Sequence, residues 1–292
     1  MILLVAFISA GVAVNRILYM MRMQSFHQFT HYQDTGDFEE TKPLILNPGR
    51  KVEKGVLFIH GFSASPAEAR LVAEIAEEEG YVFYAPVLTG FGVDNFDLLE
   101  SVSERDWLRE SVAAYDVLIQ FCEKVVVVGH SMGGALAMLV ALRRNPVQLI
   151  ITAPYLVEGK KHKLLRKLLT GYLSASFIKS CGFYIRKVSK RKYPVEEDTP
   201  RFTFDQIPLN AVVSLWRLLD LLKFSDFIGR DILALFGAKD HTSPASEIIQ
   251  ILSSHGVKLN SQIFPESGHN ILEDHDRFEV KEAIRSYIKN HS

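Results

Sequence analysis

The sequence predicts an α/β chain, with a mainly parallel central sheet, helices on both faces and an inserted helical cap. Three observations predict it. Short apolar runs suited to buried strands alternate with longer helical stretches from Val56 to the C-terminus. That alternation breaks off over residues 155–228 and then resumes. The segment Gly129-His130-Ser131-Met132-Gly133 follows the run Val125-Val126-Val127-Val128 and leads into Gly134-Ala135-Leu136-Ala137-Met138-Leu139. A buried strand, a sharp turn carrying a serine and then a helix is the context of a nucleophile elbow. Alternating strands and helices imply parallel pairing, and ligands of such sheets sit at the carboxyl ends of the strands, where this serine belongs.

The elements read in order as follows. Residues 1–22 form a hydrophobic N-terminal segment, with no charge before Arg16. Counted through Met21, the segment reaches the length of about 20 residues that a spanning helix needs, with Arg16 able to snorkel. Its basic residues, Arg16 and Arg22, come after the apolar run. That order predicts an N-out membrane anchor and a cytoplasmic catalytic domain. Two alternatives stay open: cleavage near Gly11 or Ala13, giving a secreted or periplasmic protein, and an apolar helix packed on the domain. Residues 23–42 read as a linker, residues 43–154 and 229–292 as the core.

The first core strand is Val56-Leu57-Phe58-Ile59. Ser65-Pro66-Ala67-Glu68 predicts a capping box with proline at the first helical position, and Gly80 a C-terminal stop. Tyr81 to Ala85 is the next strand. Residues 103–122 are helical, with Trp107, Leu108, Val112, Tyr115 and Ile119 on one side and Cys122 ending the stretch as a buried thiol. The strand 125–128 and the elbow helix follow, and Asn145-Pro146 stops that helix. Leu149-Ile150-Ile151 and residues 232–236 are further strands. Ser243-Pro244 repeats the start of a cap followed by proline. Gln262-Ile263-Phe264 is the last strand and residues 277–289 the last helix.

The chain has 292 residues, 48% of them apolar, and a net charge of -1. It is long enough for one large domain with an insertion, and its charge selects no nucleic acid. Two cysteines, Cys122 and Cys181, provide no disulfide framework, and no Cys/His cluster suggests a metal. No metal or organic cofactor is expected.

A serine hydroxyl needs a histidine base, and the histidine needs a carboxylate to set its tautomer. Asp240 lies just after the strand 232–236, and His269 just after the last strand. Both loops should emerge on the face of Ser131, which makes Ser131, Asp240 and His269 the candidate catalytic residues. His241 adjoins Asp240, but sequence neighbours in an extended loop rarely point at one another. His130 is expected to shape the elbow, His255 and His275 to be solvated, and Asp274 and Asp276 to cap a helix. An oxyanion would be held by the N–H of Met132, the residue after the nucleophile, and by that of Phe62 in the loop His60-Gly61-Phe62-Ser63-Ala64-Ser65.

With these residues the chain resembles the α/β-hydrolase superfamily, and within it the bacterial carboxylesterase and monoacylglycerol lipase group, from about Lys54 onward. His60-Gly61-Phe62-Ser63-Ala64-Ser65-Pro66 is similar to the group's H-G-F-x-x-S-P oxyanion loop, and Asp106-Trp107-Leu108 to its D-W helix. Gly129 to Gly134 fits its elbow, and Gly237-Ala238-Lys239-Asp240 and Ser267-Gly268-His269 its acid and histidine loops. The resemblance implies an α/β-hydrolase fold, Ser131 as nucleophile, Asp240 as acid, His269 as base, and Phe62 and Met132 as oxyanion donors. One departure is Leu88-Thr89-Gly90-Phe91-Gly92, where the group has a G-H-G turn. Phe91 is expected to leave the fold intact and to alter the entrance to the site.

The interruption at 155–228 falls where related enzymes carry a cap. Residues 159–192 hold eleven Lys or Arg and no Asp or Glu, with Leu164, Leu165, Leu168, Leu169, Tyr172 and Leu173 at helical spacing. Such a basic amphipathic pattern suits an anionic membrane surface, and equally a cap whose leucines cover an acyl pocket. Basic residues without interleaved aromatics argue against nucleic acid. The expected function is hydrolysis of small-molecule carboxylic esters with apolar acyl chains, through an acyl-enzyme. A thioesterase or peptidase with the same triad, and a membrane-tethered binding protein without turnover, remain as alternatives.

Overall fold

A computed structural model describes residues 43–47, 51–92, 96–158, 166, 184–186 and 206–290. Its central sheet has seven strands in the order β1-β3-β2-β4-β5-β8-β9. These are β1 (Leu44–Leu46), β2 (Val52–Ile59), β3 (Val82–Ala85), β4 (Cys122–His130), β5 (Gln148–Thr152), β8 (Asp231–Gly237) and β9 (Lys258–Phe264). All neighbours pair in parallel except β1, which is antiparallel to β3. Between β5 and β8 lies a separate antiparallel pair, β6 (Tyr184–Arg186) and β7 (Gln206–Pro208).

Helices α1 (Arg70–Glu78), α2 (Phe96–Ser101), α3 (Glu104–Leu118), α4 (Met132–Arg144), α5 (Leu209–Asp220), α6 (Ala245–Ser254) and α7 (Arg277–Asn290) complete the frame. Strand side chains alternate between two faces. Hence Val125 and Val127 join a core with Trp107 of α3, Leu136 of α4 and Leu252 of α6. Val126 and Val128 join another, with Ile75 of α1 and Ile284 of α7. A strand covered on both sides has no polar face, so it reads as an uninterrupted apolar run.

The last turn of α7 is tied to the sheet. Lys54 Nζ donates to Ile288 O at 2.8 Å and Gln148 Nε2 to Tyr287 O at 2.8 Å. The final carbonyls of a helix lack intrahelical donors, and a lysine suits their negative end.

Several local expectations need correction. The helix over residues 103–122 ends at Leu118, and Cys122 opens β4 instead. Its side chain is buried, and burial pushes the thiol up to about 11. Ser103 and Asp106 form a capping box at the start of α3. Ser243 does not cap α6: its hydroxyl donates to Ala153 O at 2.7 Å, and Pro244 occupies the cap position. β9 begins four residues before the predicted strand, because an edge strand with exposed Lys258, Asn260 and Ser261 carries no apolar signal. β1 was not expected at all.

The predicted anchor (1–22), the linker (23–42) and the leucine repeat of residues 164–173 lie outside the described residues. Among the described residues, no helix is long and apolar enough to cross a membrane.

Candidate active site

Ser131 stands between β4 and α4 with φ 53° and ψ −115°. A positive φ is unfavourable for a residue with a Cβ. The neighbours hold it there: Ser131 N–H donates to Thr152 O at 3.0 Å, while its carbonyl accepts from the N–H groups of Gly134 (3.0 Å) and Tyr155 (2.9 Å). A Cβ on Gly133 would lie 1.9 Å from Ile59 O, and one on Gly129 2.1 Å from Gly133 O. The two glycines therefore let strand and helix meet closely enough to form the turn.

Asp240 and His269 follow β8 and β9, on loops joined by backbone bonds. Ala238 N–H donates to Phe264 O (2.8 Å) and Lys239 N–H to Ser267 O (3.0 Å). The loops cross at Gly237, where a Cβ would come within 2.1 Å of Gly268 O. Asp240 Oδ1 accepts from the N–H groups of Thr242 (2.7 Å) and Ser243 (3.1 Å). Its Oδ2 lies 2.7 Å from His269 Nδ1, and His269 Nε2 lies 2.9 Å from Ser131 Oγ. Burial pushes the Asp240 carboxyl up, but the His269 hydrogen bond and charge and the two backbone donors outweigh it and hold the group below the usual carboxylate range. An ionised Asp240 only accepts, so Nδ1 carries the ring proton and Nε2 accepts from the serine hydroxyl. Such a chain can withdraw the serine proton as the oxygen attacks a carbonyl.

The other described histidines lie outside this hydrogen-bonded run. His241, His255 and His275 are exposed. His130 is buried, with Nδ1 3.0 Å from Thr152 Oγ1 and its ring packed at 5.3 Å from that of His269.

Ser131 and His269 open into a cavity of about 260 Å³ that Phe62 and Met132 also line. Ile207, Val212, Leu215 and Trp216, from the segment between β5 and β8, form an apolar wall. Met132 is the first residue of α4, whose opening N–H groups have no intrahelical acceptor. The Phe62 loop is braced by His60, whose Nε2 accepts from Leu88 N–H at 3.1 Å. Its Nδ1 must then carry the proton and donate to Gly61 O at 2.9 Å. Burial holds this imidazole well below its usual pKa, which keeps it neutral.

Residues 56–282 match the alpha/beta hydrolase family, over most of the chain. The chain belongs to this family. Its relatives include the carboxylesterase of Bacillus subtilis (strain 168), 24% identical over 253 residues that cover 85% of this chain and 96% of the relative. The thermostable monoacylglycerol lipase of Bacillus sp. (strain H-257) is 27% identical over 210 residues, 68% of this chain and 77% of the relative. Among solved structures, a metagenome-derived lipolytic enzyme overlays with a TM-score of 0.71 at 21% identity, covering 86% of this chain and 98% of that one. The monoacylglycerol lipase of Paleococcus ferrophilus gives a TM-score of 0.64 at 18% identity, with the same coverage.

Four side chains of this α/β-hydrolase do something other than the sequence suggested. Glu68 does not close a capping box; Ser65 Oγ accepts from Ala67 N–H, while Glu68 Oε2 accepts from Gly61 N–H at 2.8 Å, inside the Phe62 loop. Asp274 Oδ2 accepts from Gly268 N–H at 2.7 Å, and Asp276 Oδ2 from Ser267 Oγ at 2.7 Å, so both brace the histidine loop. Spacing to a helix start resembles a cap in each case, and only the tertiary contact shows the other use. Phe91 is not at the entrance. It is fully buried, its ring packed on His60, Phe62 and Trp107 with centroids 5.4 to 5.5 Å apart. Trp107 Nε1 donates to Thr89 O at 3.0 Å, which ties α3 to the same turn.

Proposed function

We propose that this α/β-hydrolase is a serine esterase acting on carboxylic esters with apolar acyl chains. The observation that carries the reading is the hydrogen-bonded run Ser131–His269–Asp240 opening into an apolar-walled cavity. Ser131 Oγ attacks the ester carbonyl as His269 Nε2 takes its proton. The N–H groups of Met132 and Phe62 hold the oxyanion. His269 then protonates the leaving alcohol, and water, deprotonated by the same ring, releases the acid from the acyl-enzyme. Relatives named as a carboxylesterase and a monoacylglycerol lipase support the ester as substrate. Ile207, Val212, Leu215 and Trp216 cover the acyl side.

The test is an ester panel of increasing acyl length, with thioesters and peptides alongside, together with labelling by a fluorophosphonate probe. Wild type should be labelled and should turn over esters best; Ser131→Ala should lose both. Folded wild type without Ser131-dependent labelling would reject the reading and favour a binding protein. Faster turnover of thioesters or peptides would replace the substrate class but keep the machinery.

We also propose that residues 1–22 anchor the chain in a membrane with the catalytic domain on the cytoplasmic side. The uncharged run before Arg16 supports it. Deleting residues 1–22 should move the protein from the membrane fraction to the soluble one. Unchanged partitioning would count against the anchor.

A further inference from the structure

Glu68 is only 7% exposed, yet it lines the cavity together with Ser131 and His269. Burying a carboxylate is costly unless donors meet it, so an acid at this place needs an account. Pro66, with its fixed φ, opens the short helix Pro66–Ala69, from which the carboxylate reaches back seven residues to Gly61. There Oε2 accepts from Gly61 N–H at 2.8 Å. The other side of Gly61 is held as well. Its carbonyl accepts from His60 Nδ1 at 2.9 Å and from Ala64 N–H at 3.4 Å. That carbonyl and the Phe62 N–H share one trans peptide plane, so they point in opposite directions. Fixing both sides of Gly61 therefore fixes where the Phe62 N–H points. A glycine left untied would not keep one direction, because its φ and ψ range widely. A Cβ on Gly61 would lie 3.2 Å from Glu68 Oε2 and 3.4 Å from Ser131 Cβ, so this backbone runs between the carboxylate and the nucleophile.

We infer that Glu68 is a positioning residue, which holds Gly61 so that the Phe62 N–H is aimed at the oxyanion formed when Ser131 attacks. The inference rests on the serine-esterase reading above. The same bond occupies the Gly61 N–H and leaves its neighbour as the donor of this loop. Donors stabilise an oxyanion only when they are aimed where its charge develops. Loss of the Glu68 acceptor should therefore weaken the transition state and leave ground-state binding of the ester as it was. In kinetic terms kcat and kcat/KM fall together.

The experiment compares wild type with Glu68→Leu, Glu68→Asp and Glu68→Gln on the best ester of the panel. Leucine removes the acceptor, aspartate draws it back by one methylene, and glutamine keeps an acceptor at the same reach. In the first two, kcat should fall about tenfold to a hundredfold at unchanged KM, short of the roughly 10²–10³ for losing a donor outright. Glu68→Gln should recover part of the loss. A trifluoromethyl ketone carrying the same acyl chain gives a second readout. Ser131 Oγ adds to its carbonyl carbon, His269 takes the serine proton, and the carbonyl oxygen becomes the anion that the donors hold. Affinity for this ketone should fall by the same factor as kcat. If Glu68→Leu does not fold, Glu68→Asp carries the test. Unchanged kcat in a folded variant overturns the role of Glu68. So does a loss of kcat without loss of affinity for the ketone, or a Glu68→Gln enzyme as slow as Glu68→Leu. Wild type that fails to label with the fluorophosphonate probe overturns the esterase reading, and this inference with it.

Discussion

Ser131 and Asp240 show how single residues are held to a task. The serine keeps a left-handed backbone because Gly129 and Gly133 allow β4 and α4 to touch. Adding a methyl at Gly133 drives it into Ile59 O, so Gly133→Ala should lose about 3 kcal/mol or more, the upper range for overpacking. A urea unfolding curve would show this, and a midpoint equal to wild type would refute it. Asp240→Asn keeps the shape of the site but presents the wrong partner to His269 Nδ1. Esterase turnover should fall by about three to four orders of magnitude, measured as kcat on the best ester of the panel. The same variant tests the charge. Asp240 has a folded pKa below its unfolded value, near 3.9 for a free aspartate. Its stabilising contribution is therefore fully present above about pH 4 and is lost as pH falls through the lower folded value. The gap in urea midpoint between wild type and Asp240→Asn should narrow steadily over that acid range. A gap independent of pH would show that ionisation of Asp240 does not matter to stability.

At the scale of elements, the sheet and its helices are joined by a few long-range polar ties. Lys54 on β2 and Gln148 on β5 both reach the last turn of α7. Lys54→Met should lose about 1–2 kcal/mol by leaving Ile288 O without this donor. Differential scanning calorimetry would read that as a lower Tm, by roughly 2–4 °C per kcal/mol for a domain of this class. No change would mean that water replaces the lysine without loss. The turn after β3 is similarly secured, by Phe91 beneath Phe62 and by Trp107 on Thr89 O. These ties explain why motifs far apart in sequence, the His60 loop and the Asp106-Trp107 helix start, occur in one chain. They are two sides of a single packing unit under the Phe62 loop.

At the scale of the molecule, the cavity is made by two different parts of the chain. The sheet edge supplies Ser131, Asp240 and His269, while α5 supplies Trp216 and Leu215. Trp216 is nearly fully buried and shares this wall with Tyr155. Trp216→Ala should enlarge the acyl side and shift preference toward longer or bulkier acids. It should also reduce stability by roughly 3 kcal/mol, as a large buried truncation does. The chain-length profile is the deciding measurement, and an unaltered profile would place the acyl chain elsewhere.

The sequence alone determined the parallel α/β architecture, because strands buried on both faces must be apolar throughout. It also determined the elbow, because only glycine tolerates the close contacts around Ser131. The two remaining loops, ending in Asp240 and His269, were legible from their places after strands. Tertiary structure decided what local patterns could not. Glu68, Asp274 and Asp276 look like helix caps along the chain, yet they brace loops that come near only when the sheet is assembled. Phe91 reads as a change at an entrance and becomes a buried support. Most of β9 carries no buried run, since this edge strand faces water and takes polar residues, while β1 is only three residues long. Periodicity records which face of an element is covered, whereas the partner of a polar side chain depends on what the fold brings beside it.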